Sequence, residues 1–93
     1  MGLEEIKDKI KPVLNKNGIR KAGIFGSFSR GDINSDSDID ILVKIEKEIS
    51  LLDFIGIKLE LENVLGKRVD LVEYDAIKPA IRDSILKEEV PVY

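Results

Sequence analysis

The 93-residue chain has no Cys, no His and no Trp, and a single Met. Without Cys there is no disulfide and no thiolate nucleophile, and without His there is no imidazole base and no Cys/His zinc centre. Any catalysis must therefore use carboxylates, hydroxyls, Lys or Arg, backbone amides and a borrowed metal ion. Long apolar runs are also missing, so no segment reads as a membrane-spanning helix. The acidic start Met1-Gly2-Leu3-Glu4-Glu5 lacks the basic region of a signal peptide. A single soluble domain over residues 1–93, located in the cytoplasm, is expected. Positive charge is in short supply: 15 Lys+Arg against 18 Asp+Glu leave a net charge of −3, which disfavours direct nucleic-acid binding.

What is present reads as globular, with 43% hydrophobic and 35% charged residues. Leu3, Ile6, Ile10, Val13 and Leu14 recur at helical spacing and predict an amphipathic helix over 3–16. Pro12 is expected to kink that helix or end it early, and Asn17-Gly18 to close it. Residues 20–25 and 38–43 predict two strands, the second with Ile39, Ile41 and Val43 on one face. A helix over 50–65 should open on Ser50 as N-cap, with Asp53 three residues on, and stop at Gly66. Residues 68–72 predict a third strand, and 76–89 a last helix capped by Asp75, with Pro79 in its first turn and Ile77, Ile81 and Ile85 as its buried stripe. Val90-Pro91-Val92-Tyr93 should be extended.

The implied fold class is α/β (α+β), a small mixed three-stranded sheet flanked by helices. Strands two and three, joined through a helix, favour a right-handed parallel crossover; strands one and two, joined by a loop, can pair antiparallel. The 50–65 helix carries two apolar patches, one of Leu52, Ile55 and Leu59, the other of Phe54, Ile57, Leu61, Val64 and Leu65. One can cover the sheet; the other needs the C-terminal segment or a second protein.

Chemistry concentrates in residues 32–40, which hold Asp32, Asp36, Asp38 and Asp40 and no base, so the rest of the chain sums to +1. Asp38 and Asp40, two apart on a strand, point to one face, opposite the Ile residues. Side-by-side carboxylates repel unless a cation relieves them, and an oxygen-only donor set suits Mg²⁺ or Mn²⁺. An EF-hand is excluded: from Asp32 its sixth and twelfth positions would be Ser37 and Val43, and from Asp36 they would be Ile41 and Lys47. Upstream, Gly26-Ser27 ends a strand, and such a turn can offer amides and a hydroxyl to phosphate oxygens. Gly26-Ser27-Phe28-Ser29-Arg30-Gly31 is followed by Asp32-Ile33, so it is not a P-loop.

Gly26-Ser27, ten residues, then Asp38-x-Asp40 resembles the GS-x10-DxD signature of the DNA polymerase beta-like nucleotidyltransferases. The whole chain is similar to their minimal members, often paired with HEPN-domain proteins in toxin–antitoxin operons. The resemblance implies that Gly26 and Ser27 hold nucleotide phosphates, that Asp38 and Asp40 bind divalent metal, and that Asp70, in Val69-Asp70-Leu71, supplies a third carboxylate. Asp70 can alternatively be a surface acid paired with Lys67 or Arg68. Arg30 can neutralise phosphate or be a plain loop residue. If strand one runs antiparallel to strand two and strand three parallel to it, all these residues converge at one end of the sheet. Two Mg²⁺ ions, about 3.5–4 Å apart, would then clamp the triphosphate of ATP, a hydroxyl oxygen would attack the α-phosphorus, and pyrophosphate would leave. The resemblance further implies transfer of AMP to a tyrosine of a HEPN ribonuclease toxin, with this chain as antitoxin. Three other readings compete: an antitoxin that inhibits by occlusion alone, a nucleotidyltransferase acting on another small acceptor, and an acidic metal-binding domain without nucleotide.

Overall fold

A computed structural model describes residues 2–26 and 38–93. The order is α1 (Leu3–Lys16), β1 (Lys21–Phe25), β2 (Ile39–Lys44), α2 (Leu51–Leu65), β3 (Val69–Glu73), a 3-10 turn (Tyr74–Ala76), α3 (Pro79–Glu88) and β4 (Val90–Pro91). The sheet order is β3-β2-β1-β4, with β1–β2 antiparallel and β2–β3 parallel. This is the mixed sheet expected from the pattern, with β2 and β3 parallel and joined through α2, enlarged by a short fourth strand.

α1 runs through Pro12 to Lys16 and does not end early. The carbonyl that Pro12 leaves without a partner is that of Asp8, one turn back, and both residues are exposed, so water can take its place. Burial of Ile6, Ile10, Val13 and Leu14 on the other side holds the helix across the break. Ile19 N–H donates to the Leu14 carbonyl at 2.9 Å, closing the C-terminus.

α2 has the ends its sequence predicts. Ser50 Oγ accepts from the Asp53 N–H at 3.1 Å, and Gly66 takes a left-handed φ of 67° with its N–H on the Glu62 carbonyl at 2.8 Å. Ser50→Ala should lower unfolding free energy by about 1 kcal/mol, read as a lower midpoint in urea with an unchanged slope. Glu62 Oε2 also accepts from Val69 N–H at 2.9 Å, so the end of α2 fixes the start of β3.

One sheet face, carrying Ala22, Ile24, Ile39, Ile41, Val43, Val69 and Leu71, packs against α1 and α2. On α2, Ile57, Leu61 and Leu65 are buried, while Leu51, Leu52, Ile55 and Leu59 remain exposed. Of the two apolar patches, the first is therefore the uncovered one. It lies on the layer away from the opposite sheet face.

That opposite face is covered more thinly by Tyr74, Ile77, Ile85 and Leu86, over Leu42, Phe25 and Val72. Here the predicted 76–89 helix is corrected. Asp75 lies in the 3-10 turn and caps nothing, and Lys78, the N-cap position of α3, is extended at φ −62°, ψ 136°. The cause is Pro79, which excludes the helical region for the residue before it and takes the first helical position itself. The break puts Ile77 out of phase with α3. Ile77 is buried and Ile85 partly so, but Ile81 is 49% exposed, so the three do not form one buried stripe.

The C-terminal tail pairs with β1, Ile24 opposite Val90 and Gly23 opposite Pro91. Val92 N–H donates to the Ala22 carbonyl at 2.9 Å, and a Pro is tolerated there because β4 is an edge strand. Glu89, just before β4, accepts a hydrogen bond from the Tyr74 hydroxyl and lies over Gly23, where a Cβ would collide with it. Burial, then the Glu89 carboxylate, pushes the Tyr74 phenol well above its ordinary pKa, so it remains a donor. Lys21 Nζ sits 4.8 Å from the Tyr74 ring centre.

Candidate active site

Because Ile39, Ile41 and Val43 are buried under α1 and α2, the alternation of β2 turns Asp40 to the other face, with Asp38 one pleat before it. The parallel register sets Asp40 beside Asp70 and Ile39 beside Val69. The antiparallel register sets Phe25 beside Asp40, and Gly26 comes next. The end of β1 and the starts of β2 and β3 thus meet at one end of the sheet, as the sequence-based arrangement requires. Asp40 is half-buried; Asp38 and Asp70 are exposed.

Gly26 matters for its lack of a side chain. Its φ is +71°, a conformation other residues adopt at a cost. A Cβ built there would run into the Asp40 carboxylate, with Cγ only 3.1 Å away. The first strand therefore ends in a turn that makes room for a carboxylate of the second. The resemblance implied that Gly26 holds phosphate; what the structure shows is a residue whose missing side chain lets Asp40 occupy its place. Ser27 and Arg30, with Asp32 and Asp36, lie outside the described residues.

Asp70 has no ion-pair partner among the described residues, so the alternative of a surface acid paired with Arg68 is not what the structure contains. Arg68 instead pairs with Asp38, Nε to Oδ1 at 3.2 Å. Among the described residues, no three carboxylates converge closely enough to hold an ion as they stand.

The donor set nonetheless suits a hard divalent cation. It offers carboxylate oxygens and nothing softer, with two like charges on directly adjacent strand positions, Asp40 and Asp70. Side-by-side carboxylates favour a neighbouring cation. A groove of about 530 Å³ is lined by Asn17, Ile45, Leu52 and Gly56 among others and takes in none of Asp38, Asp40 and Asp70.

Sequence reasoning named Arg68 only as a possible partner of Asp70. The signal that finds its true partner is the register. With Asp40 level with Asp70, one pleat earlier puts Asp38 level with Arg68, and the Ile39 N–H to Arg68 carbonyl bond at 3.0 Å fixes that alignment.

This fold and this carboxylate arrangement define a class, and residues 8–93 match the family model for polymerase beta nucleotidyltransferases. The chain belongs to the polymerase beta nucleotidyltransferase family. A Methanocaldococcus jannaschii protein with a provisional protein adenylyltransferase name is 50% identical over 92 residues, 99% of each chain. Protein adenylyltransferase MntA of Thermococcus cleftensis is 44% identical, over 97% of this chain and 95% of its own. A solved structure described provisionally as a minimal nucleotidyltransferase is 37% identical, with a TM-score of 0.82 over 98% of this chain and 96% of that one. More distant in sequence but alike in fold are a toxin–antitoxin complex with AMP-PNP (24% identical, TM-score 0.82, 94% of this chain and 72% of that one) and a tri-AMPylated Shewanella oneidensis HEPN toxin in complex with MNT antitoxin (20%, TM-score 0.75, 98% and 72%). Among the described residues no helix is long and apolar enough to cross a membrane.

Proposed function

We propose that the chain is a magnesium-dependent protein adenylyltransferase that moves AMP from ATP onto a tyrosine of a HEPN-domain toxin, acting as its antitoxin in the cytoplasm. The observation that carries this reading is Asp40 set beside Asp70 at the open end of the sheet, with Gly26 shaped to admit the Asp40 carboxylate. The adenylyltransferase names of full-length relatives support it, as does the AMPylated toxin in a complex of the same fold.

Asp38, Asp40 and Asp70 would hold Mg²⁺, with Mn²⁺ an alternative and two ions expected. The metal, when bound, neutralises charge on the triphosphate and on the leaving pyrophosphate. Gly26, with Ser27 and Arg30 beside it in sequence, holds phosphate oxygens and aligns the α-phosphorus. The acceptor oxygen bonds to that phosphorus, its bond to the bridging oxygen breaks, and pyrophosphate leaves with the electron pair. Asp70, exposed at the mouth of the site, takes the hydroxyl proton. Positioning and charge neutralisation supply most of the barrier reduction, which is why no His or Cys is needed.

The test uses the chain, Mg²⁺ and a candidate HEPN-domain partner, with ATP labelled at either the α- or the γ-phosphate. Label reaching the partner's tyrosine from the α position alone is the expected result. Label from the γ position would mean phosphoryl transfer. A partner that is inhibited yet never labelled would mean occlusion.

A further inference from the structure

We propose that Arg68 is a built-in counter-cation of the unloaded site: it holds Asp38 until metal and nucleotide arrive together, then gives up the carboxylate and turns to the nucleotide's phosphates. This rests on the adenylyltransferase reading above and names a positioning residue within the same site.

Three observations converge on it. First, the register gives the site two cross-strand pairs of different character, Asp40 with Asp70, both acidic, and one pleat earlier Asp38 with Arg68, of opposite charge. Second, Arg68 is anchored by its backbone and loose at its tip. Its carbonyl accepts from Ile39 N–H at 3.0 Å and the next residue, Val69, is held by Glu62 at 2.9 Å, while its side chain is 80% exposed. The guanidinium can therefore swing without moving β3. Third, among the described residues no three carboxylates are grouped closely enough to hold an ion, and one of the candidate ligands, Asp38, is engaged by the ion pair.

The chemistry follows from charge. Asp38 is 49% exposed and meets Arg68 through Nε. An exposed single-contact pair of this kind is weak, so a divalent ion with twice the charge displaces it readily. A freed guanidinium is the side chain best suited to grip phosphate oxygens in a fork of parallel hydrogen bonds. The site thus takes metal reluctantly on its own and willingly with nucleotide. Arg68 couples the two by opposing the first and welcoming the second.

The test is calorimetry with MnCl2 alone, then with Mn²⁺ plus a non-hydrolysable ATP analogue, on the wild type, Arg68→Gln and Arg68→Lys. Arg68→Gln should bind Mn²⁺ alone about fivefold more tightly and the metal–nucleotide pair at least about fivefold more weakly. Arg68→Lys should stay close to wild type for Mn²⁺ alone, because it keeps the charge. In an Asp38→Asn background, Arg68→Gln should have no effect on Mn²⁺ affinity, as expected when both residues act through one contact. Unchanged or weaker Mn²⁺ binding by Arg68→Gln overturns the proposal while leaving the adenylyltransferase reading intact. Absence of any Mn²⁺ or nucleotide binding by the wild type overturns both.

Discussion

Asp70→Asn is expected to slow AMP transfer by about a thousandfold or more while leaving the protein as stable as before. The loss follows from position: Asp70 is level with Asp40 across the parallel strands and is the exposed one of the two, within reach of an incoming hydroxyl. On the proposed mechanism, removing its charge would take away both a metal-holding oxygen and the proton acceptor, and a thousandfold corresponds to about 4 kcal/mol of barrier. Stability should hold because Asp70 has no ion-pair partner among the described residues to lose, and Asn keeps its shape. Relief of repulsion with Asp40 is worth about 0.5 kcal/mol, or up to about 3 °C in Tm for a domain of this size. Single-turnover transfer rates and calorimetric Tm values check the two halves. A variant that loses activity only in proportion to lost fold would make Asp70 a structural residue.

The second large effect is Gly26→Ala, and it comes with its own control. An added methyl at Gly26 meets the Asp40 carboxylate, whereas one at Gly66 meets nothing within 4 Å, and both glycines have positive φ, 71° and 67°. Each substitution should therefore cost about 1–2 kcal/mol in backbone strain. Only Gly26→Ala should also displace Asp40. A displacement of about 1 Å at a reacting centre costs about a hundredfold in rate, so Gly26→Ala should lose at least that much transfer, and Gly66→Ala should keep near-normal kcat at temperatures where it is folded. Equal activity losses in the two variants would reduce Gly26 to a turn residue.

Much of this molecule is legible in its chain because local and long-range rules agree. Ser50 with Asp53 and Gly66 mark both ends of α2, and the structure places both caps there. The alternation of Asp38, Asp40 with Ile39, Ile41 and Val43 separates a wet face from a dry one, and a crossover rule then brings Asp70 alongside Asp40. What failed has two causes, a local proline effect that the periodicity hid and tertiary partners that decide elsewhere. Periodicity joined residues 76–89 into one helix, but Pro79 splits off the 3-10 turn, and Ile81 faces water because α3 meets the sheet through Ile85 and Leu86. Pro12 looked like a stop, yet burial of Ile10, Val13 and Leu14 carried the helix past it. The choice between Asp38 and Asp70 as partner of Arg68 depends on a one-pleat offset that no sequence window contains. Which of the two apolar patches on α2 faces the sheet was equally invisible, since both have helical spacing.

The proposed function depends above all on the carboxylates at the head of β2 supporting AMP transfer to a protein hydroxyl. The direct measurement is the intact mass of a candidate HEPN-domain partner after incubation with ATP and Mg²⁺, with the wild-type chain and with the Asp38→Asn, Asp40→Asn double variant. The account predicts a partner heavier by one or more AMP groups with the wild type and unmodified with the double variant. AMP added equally by both, or by neither while the partner is still inhibited, would contradict it.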